Sequence, residues 1–372
     1  MSDDAETDAD SAGPDTGGIT ALLEDWYHLP VLALVFAFMV WIRQQSWSNF
    51  IVDGQVYLGG NDPWYHLRQV TYTVQNYPST SPFDPGSGFA TGVHAGQFGT
   101  LFDQLIATAA LIVGLGDPTS QQIATVTAFA PVVFGALLVV PTYLIAARLG
   151  GRVTGVLASI VMALLPGLVL SRSLVGTADH NIAEPLFMGL AVAALMVAIA
   201  VGQREKPVWE QLRGFEFASM RSVLGYATLA GVATALYLYV WPPGILLVGV
   251  FGVYVILQMT SDVVSGESPE HVGIVAALSM SVTGVLLLAR LSTLSFGTTS
   301  FSLLQVLFPL AVAFGAAFLA WLARQWERRD VDPRAYPGAV LGILVVGVGV
   351  VAVAIPRLYS LVTSNLLRFV GF

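Results

Sequence analysis

The sequence predicts an all-α, polytopic membrane protein with about nine transmembrane helices and a long polar loop after the first of them. Three observations carry this. Of 372 residues, 55% are hydrophobic and only 11% charged, with a mean hydropathy of +0.72, where a soluble domain carries roughly 25% charged residues. The apolar residues fall in long runs, several near the ~20 residues that cross ~30 Å of hydrocarbon. The basic residues gather in loops that alternate in position along the chain, as the positive-inside rule requires.

The first 25 residues hold Asp3, Asp4, Glu6, Asp8, Asp10, Asp15, Glu24 and Asp25. A polar, acidic stretch buries too little apolar surface to fold, so 1–25 is expected to be a disordered cytoplasmic tail. It has no basic start and is not a secretory signal. The remainder, 26–372, is expected to be one transmembrane domain. Its spans are predicted at 31–43, 122–147, 153–171, 183–202, 223–241, 243–259, 271–289, 301–323 and 336–355. The first and sixth are short and are expected to begin earlier or to tilt little. Pro131, Pro141, Pro166 and Pro309 are tolerable inside spans because neighbouring helices satisfy the freed backbone groups.

The run 100–115 is read differently. It carries Asp103 and Gln104 in its first turn, and an Asp inside a span costs about 2.5–3.5 kcal/mol. We expect an interfacial helix within a first outer loop of 44–121. The short second outer loop is 172–182. With the N-terminus inside, the inner loops then hold ten basic residues and the outer side six. A ten-span alternative counts better, at twelve against four, but places Asp62 and Asp179 on opposite faces.

No cysteine is present, which excludes thiol catalysis, disulfides and thiolate metal sites. Lys206 is the sole lysine among sixteen basic residues, at a net charge of −8. That balance suggests a halophile's high-salt cytoplasm. Membrane lipid is an expected partner and nucleic acid is not.

Two polar stretches stand out. The first is Gly60-Asn61-Asp62-Pro63-Trp64-Tyr65-His66-Leu67-Arg68. Pro63 disfavours helix at the residue before it, so Asp62 is expected to be extended, near the N-cap of a helix over Trp64–Arg68. The aromatic neighbours also suit a membrane interface. The second runs from Ser171-Arg172 to Asp179-His180-Asn181 and Glu184-Pro185. Asp, His and Asn can all ligate a divalent cation, although Asp179 can equally cap the following span. Nine-span topology brings both loops to one face, where a carboxylate from each can share one Mg²⁺ or Mn²⁺. Such an ion suits a phosphate or pyrophosphate substrate at the membrane surface, with Arg172 binding phosphate or orienting a carboxylate.

These motifs resemble the catalytic subunit of oligosaccharyltransferases, most nearly the archaeal single-subunit dolichyl-phosphooligosaccharide–protein glycotransferases. The resemblance covers nearly the whole chain. It implies a glycosyltransferase-C architecture and en bloc transfer of a glycan from a dolichyl phosphate or diphosphate to Asn in Asn-x-Ser/Thr of an acceptor protein. It implies an active site on the extracellular face of the cell membrane. By position, Asp62 and Asp179 match catalytic metal ligands, with Mn²⁺ or Mg²⁺ as cofactor. Asn181 occupies the third ligand position, where the family more often has an acid or His. His180 is implied in donor phosphate contact. Arg172 matches an arginine that pairs with the first-loop Asp. His94 lies where archaeal members have a donor-contacting His.

The acceptor-binding Trp-Trp-Asp motif, the Glu-containing last outer loop and the C-terminal soluble domain have no counterpart here. The chain is expected to be the N-terminal portion of a longer enzyme, a split subunit completed by a second chain, or a degenerate homologue. Two other classes fit the residues: a different polyprenyl-phosphate-sugar glycosyltransferase, and a non-enzymatic transporter of lipid-linked glycan.

Overall fold

The computed structural model describes residues 26–88, 90–95, 99–291 and 294–370. The acidic stretch 1–25 lies outside the described residues. The first helix, α1 (His28–Gln44), does begin earlier than 31. Its 17 residues reach about 26 Å, enough for most of the hydrocarbon. Its last turn carries Arg43, a cation at a helix C-terminus, where the dipole favours it.

The first outer loop is a built structure. Asp53 and Gly54 both have positive φ (48° and 75°) and close a two-residue hairpin between β1 (Ile51–Val52) and β2 (Gln55–Val56), as Asp-Gly turns do. Next come α2 (Asp62–Gln75), a second hairpin of β3 (Phe83–Asp84) with β4 (Val93–His94), and α3 (Leu101–Val113). Arg68 ties that hairpin to α2: its Nε and Nη2 each lie 2.8 Å from Asp84, one on each oxygen. Asp84 is buried, and the Arg68 bond holds its carboxyl down at about 2. The 13-residue α3 is too short to span and packs along α2 and α4 (Ser120–Leu137). The interfacial reading of 100–115 fits this placement.

The bundle follows. After α4, Pro141 lacks the N–H and crowds the carbonyl four residues back, and the helix breaks at Leu138 before α5 (Val139–Leu164). Within α5, Gly151 is non-helical, with φ 85° and ψ 175°. A Cβ on Gly155 would sit 2.7 Å from the Tyr143 ring, so the chain doubles back at Gly150-Gly151. This turn falls within the stretch 148–152, where the sequence predicts a loop. The expected span 153–171 is not: its helix stops at Leu164, because Pro166 drives Leu165 into extended backbone (φ −66°, ψ 117°). A single turn, Leu168–Ser171, remains.

The later helices are α6 (Ala183–Arg204), α7 (Arg221–Val240), α8 (Leu246–Val264), α9 (Glu270–Leu288), α10 (Leu303–Arg328), α11 (Tyr336–Ala354) and α12 (Pro356–Val370). Helix α9 packs along both α7 and α10. Small residues permit the close approach: a Cβ on Gly231 of α7 would strike the Ser279 carbonyl of α9. Among the described residues, seven stretches are long and apolar enough to span. One of them, Ser120–Leu164, contains the Gly151 reversal, and α1 is one residue below the 18-residue length.

The two ends of the bundle differ. At one end Arg324 bonds Glu210 and Glu270 and lies 5.2 Å from the Trp209 ring. At the other, Thr100 N donates to Tyr239 O at 2.9 Å, and Arg290 reaches Thr100 Oγ1 at 2.8 Å. The first loop, the 172–182 loop and the turn Pro242–Ile245 share this second end. That arrangement overturns the ten-span alternative, which separates Asp62 from Asp179.

The two loops meet backbone to backbone. Gly59 N donates to Gly176 O at 3.0 Å, and Gly176 N donates to Ala128 O at 2.8 Å. Gly176 has φ 83°, and a Cβ there would lie 2.5 Å from the Phe50 ring. Gly176→Ala is therefore expected to destabilise the protein by about 2–4 kcal/mol, from left-handed strain and overpacking together. Gly54→Ala, at φ 75° with nothing within 4 Å, carries the strain alone and should cost about 1–2 kcal/mol. Thermal unfolding of both variants in detergent checks the difference.

Candidate active site

The second loop is positioned by buried groups of α1. Arg43 Nε donates to Ser173 Oγ at 2.7 Å, and Arg43 O accepts from Val175 N at 3.0 Å. Both Arg43 and Ser173 are completely buried. In the first loop, Trp64 Nε1 donates to Leu58 O at 3.1 Å and holds the turn that leads into α2.

Asp62 is exposed and is the first residue of α2. This corrects the expectation of an extended residue at the N-cap. Asn61 takes the flanking position, and no side chain caps the helix. Pro63 suits the first turn, where its missing N–H has no helical partner to lose. The Asp62 carboxylate is left unclaimed by the cap and sits at the positive end of the helix dipole. It shares a cavity of about 260 Å³ with Gly59, Gly60, Asn61, Ser171, Arg172, Thr177 and Asp179.

Asp179 is buried at 2% exposure and surrounded by donors. Arg172 Nη1 lies 2.7 Å and Asn181 Nδ2 2.5 Å from its Oδ2. His180 Nδ1 lies 3.0 Å and Asn181 N 3.3 Å from its Oδ1. Burial pushes its carboxyl pKa up. The hydrogen bond and charge of His180, the charge of His66 and the Asn181 N–H outweigh burial and hold the group at about 2. Arg172 thus pairs with Asp179, not with the first-loop Asp62 that the resemblance implies. The physical reason is burial: Asp179 needs a countercharge that exposed Asp62 gets from water.

Sequence reasoning left two residues out of the site. His66, buried at 2% exposure, places Nδ1 2.7 Å from Asp103 Oδ1 and Nε2 3.3 Å from His180 Nδ1. Burial works against a charge on His66, but Asp103, Asp179 and Asp62 together raise its pKa. Asp103, on α3, is itself 2% exposed. Both carried a signal: His66 lies four residues after Asp62, on the same helix face, and an acid in an apolar helix implies a partner. Glu184 joins from α6, with Oε1 3.4 Å from His180 Nε2.

One oxygen of Asp179 and one ring nitrogen each from His66 and His180 lie within 4.8 Å of one another, a donor set that fits a divalent cation. Of the residues named from sequence, the fold brings Asp62, Arg172, Asp179, His180 and Asn181 together. His94 stands apart: it is exposed on β4 with its ring 5.8 Å from that of Phe83, and it does not line the cavity.

The chain is similar to known proteins over most of its length. The model of the family "Oligosaccharyl transferase STT3, N-terminal" matches residues 31–371. The chain is 53% identical over 354 residues to the dolichyl-monophosphooligosaccharide–protein glycotransferase AglB of Haloferax volcanii, covering 95% of this chain and 34% of that one. It superposes at a TM-score of 0.79, with 26% identity, on the Archaeoglobus fulgidus oligosaccharyltransferase AglB in complex with an inhibitory peptide and a dolichol-phosphate, covering 92% of this chain and 39% of that chain. The A. fulgidus enzyme tethered to an acceptor peptide with an NVT sequon gives 0.75 at 25% identity, over 90% of this chain and 39% of that chain. The chain spans about a third of the length of the Haloferax relative. With its matched region running from residue 31 to 371, the chain belongs to the oligosaccharyl transferase STT3 family.

Proposed function

We propose that this chain forms the donor- and metal-binding membrane part of an oligosaccharyltransferase that glycosylates Asn in Asn-x-Ser/Thr of acceptor proteins. The observation that carries the reading is the shared cavity: Asp62, Arg172 and Asp179 face one space from two loops far apart in sequence. On this reading the cavity opens on the extracellular face and the N-terminus is cytoplasmic, in line with ten inner against six outer basic residues.

The acceptor amide nitrogen is a poor nucleophile because its lone pair is delocalised into the carbonyl. Asp62, exposed at the cavity, accepts one of its N–H bonds and weakens that delocalisation. Arg172, with its side chain 46% exposed, bonds Asp179 on one side and offers its remaining N–H groups to the donor phosphate. His180 stands beside it as a second phosphate contact. A divalent cation, Mn²⁺ or Mg²⁺, held by Asp62, Asp179 and Asn181, would neutralise charge on the departing phosphate. The donor is a dolichyl monophosphate rather than a diphosphate, as the name of the Haloferax relative suggests.

Two outcomes follow. In the complete enzyme, Asp62→Ala or Asp179→Ala should cut transfer to an Asn-x-Thr peptide on the order of 10²-fold or more. Full transfer by either variant removes the reading. Dolichyl-monophosphate-linked oligosaccharide should outrun its diphosphate counterpart in the same assay, and the reverse order contradicts the monophosphate assignment.

A further inference from the structure

The role of His66 goes beyond this reading and rests on it, since it concerns the cation proposed above. We infer that His66 is a ligand of that cation through Nε2, completing with Asp62 a ligand pair on one turn of α2. Residues four apart on a helix present side chains to one side, the spacing by which paired helical ligands hold a metal. Asp62 is at the cavity, and His66 lies one turn deeper.

The ring is fixed for the task. Asp103 Oδ1 accepts from His66 Nδ1 at 2.7 Å. The proton therefore sits on Nδ1, and the Nε2 lone pair points the other way. A histidine kept only for packing would turn that nitrogen to a donor or to apolar wall. This one turns it toward two other ligating atoms: His180 Nδ1 at 3.3 Å and Asp179 Oδ1 at 3.9 Å. Those two are themselves 3.0 Å apart. A triangle with these sides has its centre about 2 Å from each corner, the length of a metal–nitrogen or metal–oxygen bond.

The surroundings repeat the pattern. Ligating imidazoles usually have a carboxylate on their second nitrogen. His66 has Asp103 in a hydrogen bond. Glu184 Oε1 lies 3.4 Å from His180 Nε2, an ion-pair neighbour outside hydrogen-bond geometry. Asn181, meanwhile, directs its amide nitrogen to Asp179 Oδ2, which orients the carboxylate. His66 adds a neutral donor stronger than the amide oxygen of Asn181. With imidazole in the set, the site prefers Mn²⁺ or Zn²⁺ to Mg²⁺.

The test uses the complete enzyme in detergent with Mn²⁺, monitoring bound ion by the loss of free Mn²⁺ signal and ligation by pulsed electron paramagnetic resonance. Wild type should bind Mn²⁺ and show nitrogen modulation from imidazole. His66→Gln should weaken binding about tenfold or more and reduce the modulation, and Asp103→Asn should weaken it about 10–100-fold. In His180→Gln, nitrogen modulation should persist, now from His66. Wild-type affinity and modulation in His66→Gln, or no modulation in His180→Gln, would overturn the role of His66 and leave the cation reading intact. Failure of the wild-type enzyme to bind Mn²⁺ would overturn both.

Discussion

The site depends on one backbone junction. Gly59 and Gly176 are 117 residues apart in sequence, yet the N–H of one meets the carbonyl of the other at 3.0 Å. Phe50 covers both glycines, and neither position has room for an unshifted side chain. Gly176 also needs a left-handed backbone, which glycine adopts without penalty. From that junction the two loops diverge by only a few residues before presenting Asp62 and Asp179 to the same cavity. The glycine pair holds the two loops together at the backbone, and His66 Nε2, 3.9 Å from Asp179 Oδ1, is a second link between them.

The second constraint is the low dielectric around the bundle. A charge buried there survives only with partners. Arg43 is completely buried in the last turn of α1, and its bonds go to Ser173 and to the carbonyl of Met39. Asp103 is buried against His66, and Asp179 is buried under Arg172, His180 and Asn181. The Arg43–Ser173 and His66–Asp103 pairings cross from one element to another, so polar groups that burial would penalise help fix the loops to the helices. Arg68 and Asp84 do the same for the second hairpin at the wetter edge.

Much of this was legible in the sequence. Apolar runs located the helices, and Asp103 marked 100–115 as an unusual one, whose helix is only 13 residues long. The two polar stretches gave Asp62 and Asp179. The misreadings have physical causes. Pro166 cut short a predicted span, because a proline acts on the residue before it as well as on itself. Pro63 acts less strongly on Asp62, where the first helical turn tolerates both residues. Partner choice was the least legible property: Arg172 turns to Asp179, seven residues away in its own loop, because burial ranks the two acids and sequence does not show burial. His66 was visible as a neighbour of Asp62, but its link to Asp103 depends on α2 packing against α3.

The central claim is that two distant loops form one site at one end of the bundle. The chain has no native cysteine, so single-cysteine variants report cleanly. Cysteines placed at Asn61 and at Thr177, which both line the cavity, can be reacted with a membrane-impermeant maleimide in sealed vesicles of known orientation. Labelling of both positions from the same side is the predicted result. Labelling from opposite sides would contradict the account.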